Sequence, residues 1–156
     1  MGRLRLFGEL IEAGGAIEGG GEAAPGGGHQ IGRVVRTAGD YQTTSLSFVD
    51  IDTANLVVNL TTGDSWLYLL LAGTLYVTSF GYAHFDFTVD GQRQGATKGV
   101  QQVQAVYAQD IQIGWLTQVA AGSHTIRAQW RVSAGTALLR ASNAESPLML
   151  AVVELK

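Results

Sequence analysis

From residue 31 onward, apolar and polar side chains alternate with a period of two, which marks strands with one buried face. The pattern predicts strands over 32–37, 45–51, 55–61, 66–78, 82–90, 93–97, 111–119, 123–133, 136–141 and 147–155. Turn chemistry separates them: "TAGD", "TTGD", "SFG", "DGQ", "AAGS", "SAGT" and "NAESP". Asp90-Gly91 is a two-residue type I′ hairpin signal. Residues 120–139, "AAGSHTIRAQWRVSAGTALL", read as one β-hairpin. Residues 98–110 break the pattern and read as a long loop or one helical turn. Many short strands at this spacing predict an all-β fold: an antiparallel jelly-roll β-sandwich with an extended N-terminal arm.

The alternation also assigns faces. Phe85, Phe87 and Val89 point one way along 82–90, with His84, Asp86 and Thr88 on a wet side. Ile111, Ile113, Trp115 and Val119 share a face, as do Ile126, Ala128, Trp130 and Val132. Two strands are apolar on both faces. Along 66–78, Leu67, Leu69, Leu71, Leu75 and Val77 oppose Trp66, Tyr68, Leu70 and Tyr76. Along 148–155, Leu148, Leu150 and Val152 oppose Met149, Ala151, Val153 and Leu155. A two-layer sandwich buries one face of each sheet, so the second face needs a cover. That cover is a sister subunit or the 98–110 segment. Aromatic residues with polar tips favour a subunit interface, formed by Trp66, Tyr68, Leu70, Tyr76, Met149 and Val153.

Before the strands the pattern changes. Residues 1–18 form an arm whose Leu4, Leu6, Phe7, Leu10 and Ile11 supply an apolar peg. Residues 19–30, "GGGEAAPGGGHQ", form a linker that spans about 20 Å as a flexible coil. A tethered peg is useful only if a partner receives it, so the arm reads as an anchor. The domain proper is 31–156.

Composition narrows the setting. A net charge of −3 and scattered basic residues argue against nucleic acid, which needs a basic face. With no cysteine, disulfides and thiolate-bound metals are excluded. Charged residues make up only 15%, below the ordinary ~25%, which again suggests surface hidden between chains. Glu9 and Glu12 interrupt any secretion-signal core, and no apolar run approaches a membrane span, so a cytoplasmic origin and no membrane partner are expected.

Chemistry is sparse. His84 and Asp86 could share a metal, but exposed alternation explains them better. Asp50 and Asp52, with Asp40 or Asp64, could hold calcium; solvated strand-end aspartates are the simpler reading. His29 lies in the linker and His124 follows a turn. Residues 19–28 lack the ending of a P-loop, no nucleophile-elbow context supports a triad, and Asn59-Leu60-Thr61 matches a glycosylation acceptor only formally. No enzyme, catalytic residue, metal or cofactor is expected.

"TAGDYQTTSLSFVDIDTANLVVNLTTGDSWLYLLLAGTL", "HFDFTVDGQRQG", "VAAGSHTIRAQWRVSAGTALL" and "LMLAVVELK" together resemble a jelly-roll module of tailed-phage virion proteins. The layout is distantly similar to trimeric TNF/C1q-like jelly rolls. The resemblance implies a homotrimer with aromatic and aliphatic residues meeting near its axis. It also implies a virion role: capsid decoration attached to a major capsid or other virion protein through residues 1–17. The alternative is a fibre domain that binds a cell-surface glycan, with Tyr41, Tyr82 and Tyr107 as stacking candidates.

Overall fold

The computed structural model describes residues 29–142 and 146–156. The anchor residues Leu4, Leu6, Phe7, Leu10 and Ile11 and the linker up to residue 28 lie outside the described residues. The strands in chain order are β1 (Ile31–Arg36), β2 (Tyr41–Thr43), β3 (Val49–Asp50), β4 (Val57–Thr62), β5 (Ser65–Val77) and β6 (Ala83–Val89). They continue with β7 (Gln92–Arg93), β8 (Gln101–Val103), β9 (Gln109–Val119), β10 (Gly122–Val132), β11 (Ala137–Arg140) and β12 (Leu148–Leu155). Every pairing between them is antiparallel.

Two sheets form. In the first, β1, β12, β5 and β9 lie side by side, and β11 continues the β12 edge of β5 and carries β2. In the second, β4, β10, β6 and β8 lie side by side, with β3 extending β4 and β7 extending β8. The chain crosses between sheets at β2–β3, β4–β5, β5–β6, β8–β9, β9–β10 and β10–β11. Strands far apart in sequence, such as β5 and β12, become neighbours, which is the wiring of a jelly roll. The crossing after β10 corrects one expectation. Residues 120–139 are not a hairpin, because β10 stays in the second sheet while β11 joins β5 in the first.

The inner faces make the core. Leu67, Leu69, Leu71, Leu75 and Val77 of β5 are fully buried, as are Leu148, Leu150 and Val152 of β12. From the second sheet come Phe85 and Phe87 of β6 and Ile126, Ala128, Trp130 and Val132 of β10. Trp130 pairs directly with Phe85, their ring centroids 6.5 Å apart. Each large side chain so buried contributes roughly 1.5–3 kcal/mol.

β6 departs from the predicted pattern, since it is buried on both sides. The loop over residues 94–100 lies across its outer face, with Gln94 N donating to Phe87 O and Val100 N to Phe85 O. Asp86 organises that loop by accepting from the amides of Phe87 and Gly95 and from Arg93 Nε. The Arg93 guanidinium lies 3.9 Å above the Phe48 ring. The expected strand 93–97 therefore shortens to β7, and 98–110 supplies this cover, then β8, and then a connecting loop. Likewise 45–51 keeps only β3, and β2 forms where no strand was expected.

β5 spans the molecule, about 40 Å at 3.3 Å per residue. The chain enters beside its Ser65 end, where His29 Nδ1 contacts Glu154 O at 3.0 Å and Glu154 N donates to Gln30 O. We call this end the base and the Val77 end the tip.

Candidate functional site

The outer face of the first sheet collects the residues that alternation assigns to an interface. Register fixes their order. Ile31, Val153, Tyr68 and Leu116 stand opposite one another across β1, β12, β5 and β9 and form one apolar rung. Toward the base lies the rung Leu155–Trp66–Gln118. Toward the tip follow Arg33–Ala151–Leu70–Gly114 and Val35–Met149–Ala72–Gln112. Directly paired residues share a face, so these four rungs are one surface on which Arg33 is the sole charge. Ile31 is 69% exposed, Leu116 49%, Trp66 46% and Tyr68 40%.

Gly114 shapes this surface. A Cβ there would stand 2.6 Å from Tyr68 Oη and 3.2 Å from Cζ. The Tyr68 ring thus lies down over the bare glycine backbone, leaving the patch flat. In projection the four rungs cover roughly 400 Å2, at about 4.8 Å between strands and 3.3 Å per residue. That is the size of the largest apolar patch on a typical monomeric protein, which is often functional. The 98–110 segment does not cover these exposed side chains: residues 98–103 pack on the second sheet, and Gln109 and Asp110 already belong to β9.

Tyr76 shares the face but not the patch. It lies eight residues beyond Tyr68 on β5, about 26 Å away. Between them is a shallow depression of about 510 Å3 lined by Arg33, Val35, Ala72, Thr74, Gln112 and Met149. Sequence reasoning missed Leu116, Ile31 and Val35, although their alternation with buried neighbours carried the same signal.

The metal candidates are placed otherwise. His84 is buried, not solvent-facing, and its Nδ1 contacts Lys98 O at 3.2 Å. Burial and the neighbouring Arg131 push its pKa down, which favours the neutral ring. Asp86 is engaged by Arg93. The four aspartates serve separate contacts: Asp50 of β3 accepts from Gln129 and Arg127, Asp40 from Ala141 N, and Asp64 from Ala121 N. Partial burial would raise the Asp52 pKa. The amides of Asn55 and Ala54 and the Tyr41 hydroxyl outweigh that and hold it at about 2. Among the described residues, no three acidic or histidine side chains gather as a metal site. Asn59 lies within β4, accepting from Thr125 Oγ1.

The stacking candidates separate. Tyr41 is half-buried, its hydroxyl donating to Asp52 and accepting from Arg36. Tyr82 and Tyr107 sit in tip loops, 37% and 83% exposed. Beside them Phe80 is 78% exposed. Thr78 to Gly81 form a type I′ turn: Gly81 N donates to Thr78 O, and Ser79 and Phe80 take φ of 59° and 55°. That turn favours Asn-Gly; a side chain in the left-handed region costs about 1–2 kcal/mol per residue.

No protein-family model matches the chain, and no curated protein is significantly similar to it.

Proposed function

We propose that this protein is a non-enzymatic structural subunit that assembles with copies of itself through the outer face of its first sheet. The observation that carries this reading is the rung Ile31–Val153–Tyr68–Leu116, apolar across four strands and exposed at Ile31, Tyr68 and Leu116. Its flatness over Gly114 suits a packed symmetric contact, and burying such side chains supplies the driving force for association. The resemblance to virion jelly rolls favours a trimer and a particle setting, in which the subunit decorates a shell held by residues 1–18. The position of the base supports that role: residues 1–28 lead into β1 there, so a subunit anchored through them would project its tip outward.

The full chain should sediment as a trimer of about 50 kDa, three times the 16.5 kDa subunit. Tyr68→Asp should give folded monomer, because it would bury an unpaired carboxylate at the centre of the patch. A wild-type monomer at tens of micromolar, or an unchanged trimer in the variant, would refute the assignment.

A further inference from the structure

A sheet edge is a row of unpaired main-chain donors and acceptors, and folded proteins keep such rows short, charged, interrupted by proline or covered. Most edges here follow that rule. β2, β3, β7 and β8 are only two or three residues long. β1 carries Arg33 and Arg36 and packs beside β4, where a Cβ on Gly32 would meet Val58 Cγ1 at 2.4 Å. β9 is the exception. It runs for 11 residues, "QDIQIGWLTQV", with no proline, lysine or arginine. Among the described residues its sole strand partner is β5, and none bonds to the main-chain groups on its other side. The core is also open there: Trp115 on the inner face of β9 is half-buried, whereas its partner Leu69 on β5 is fully buried.

The chain contains a segment of matching length and pattern. In residues 3–12, "RLRLFGELIE", Leu4, Leu6 and Leu10 fall on one side of an extended strand. Its reach suits the edge. The chain enters at the base, where His29 and Gln30 contact Glu154. β12 and β5 separate β1 from β9, so a strand outside β9 lies four spacings from β1, about 19 Å. A coil as long as residues 13–28 spans about 20–24 Å. Charge and connection then set the direction. Asp110, near the tip, is the sole charge on β9. A segment parallel to β9 runs from tip to base, which sets Arg3 and Arg5 beside Asp110 and Glu12 at the base, next to the entry point. The antiparallel direction would set Glu9 and Glu12 near Asp110 and carry residue 12 about 30 Å further from the base.

We propose that residues 3–12 pair parallel to β9 of their own chain and close the open edge of the first sheet. With Arg3 opposite Asp110, Leu4, Leu6 and Leu10 stand beside Ile111, Ile113 and Thr117 on the inner side. Gly8 then falls beside the bulky Trp115, and Phe7 beside Gly114 and the Tyr68 ring that lies over it. The arm is thereby a latch, which another protein must displace before residues 1–18 can anchor the subunit. The contact uses the edge of the sheet rather than its outer rungs, so it stands whether or not the protein is a trimer.

The natural chain has no cysteine, so an introduced pair reports a single contact. Arg5→Cys combined with Gln112→Cys should oxidise to a disulfide within one chain, because neighbouring strands bring paired Cα atoms to about 5 Å. Arg5→Cys combined with Gln118→Cys, the pair an antiparallel arm would join, should not. Non-reducing electrophoresis separates a link within a chain from one between chains. Hydrogen exchange on the full chain gives a second reading. The outward amides of β9 should be protected in the wild type and exchange about tenfold faster or more in Leu6→Pro, which removes a ladder donor, while β10 stays unchanged. Four results overturn the proposal: no disulfide between positions 5 and 112, one formed as readily between 5 and 118, links only between chains, or outward β9 amides that exchange equally fast in the wild type and Leu6→Pro. None of these depends on the mass of the assembly, so a failed trimer and a failed latch are told apart.

Discussion

At the scale of single residues, the base of the molecule holds a histidine that is set to be charged. His124 Nδ1 lies 2.7 Å from Asp90 Oδ2, and Nε2 lies 2.9 Å from Ala120 O. Both ring nitrogens face acceptors, so the imidazolium satisfies both and a neutral ring only one. The hydrogen bond to Asp90 accordingly raises the His124 pKa above the ordinary histidine value of 6.5. Partial burial works against the Asp90 carboxylate, but His124 and the Thr125 amide lower its pKa below 3.8. The His124 contribution is complete below pH 6.5 and is lost as pH rises through its higher folded value. The Asp90 contribution is present above pH 3.8 and is lost as pH falls through its lower folded value. The pair is therefore most stabilising between roughly pH 4 and 6.5. Thermal melts should show stability falling from pH 6 to pH 8.5 in the wild type, and a shallower fall in His124→Asn. The effect should be modest, since Asp90 is half exposed.

At the scale of elements, β6 with its covering loop is the most interdependent unit. Asp86 has no side-chain exposure, and Arg93 pairs with it at 2.6 Å. Arg93→Ala should cost about 2–3 kcal/mol, because a buried carboxylate loses its countercharge while keeping two amide donors. Denaturant unfolding would read this as a lower midpoint at an unchanged slope; a change under 0.5 kcal/mol would mean that the two amides suffice. The same unit shows where sequence reading stops. Alternation in "WLYLLLAGTLYV" gave β5 and both its faces, because side-chain direction in a strand is local. The Asp90-Gly91 turn was legible for the same reason. His84 and Asp86 alternate just as plainly, but whether a polar face is wet depends on what folds over it. Here Gly99 permits the cover, since a Cβ there would stand 2.2 Å from Phe85 O. Residues 133–136 read as a hairpin turn because local chemistry cannot distinguish a turn within one sheet from a step between two. Short strands such as β2 and β8 owe their existence to partners rather than to propensity. At the tip, "SFG" announced a turn, but its left-handed conformation at Phe80 is imposed by the loops around it.

At the scale of the whole molecule, the proposed self-association has a consequence independent of any measured mass. If folding and assembly are one equilibrium, three unfolded chains convert to one native trimer, and stability depends on protein concentration. A hundredfold rise in concentration then adds about 1.8 kcal/mol per chain, from two-thirds of the ~1.36 kcal/mol that each decade supplies. For a chain of this length, that corresponds to a melting temperature higher by about 4–7 °C. A monomer gives no shift, and a stable monomer that trimerises only weakly gives a shift only above its dissociation constant. Melting the wild type between one and one hundred micromolar should therefore show the rise, and Tyr68→Asp should abolish it while retaining a cooperative transition. Each monomer already buries the inner faces of both sheets, including Leu69, Phe85 and Trp130, within its own chain. That core is why the variant should still fold. The exposed rung through Tyr68 is why its melting should then no longer depend on how many copies surround it.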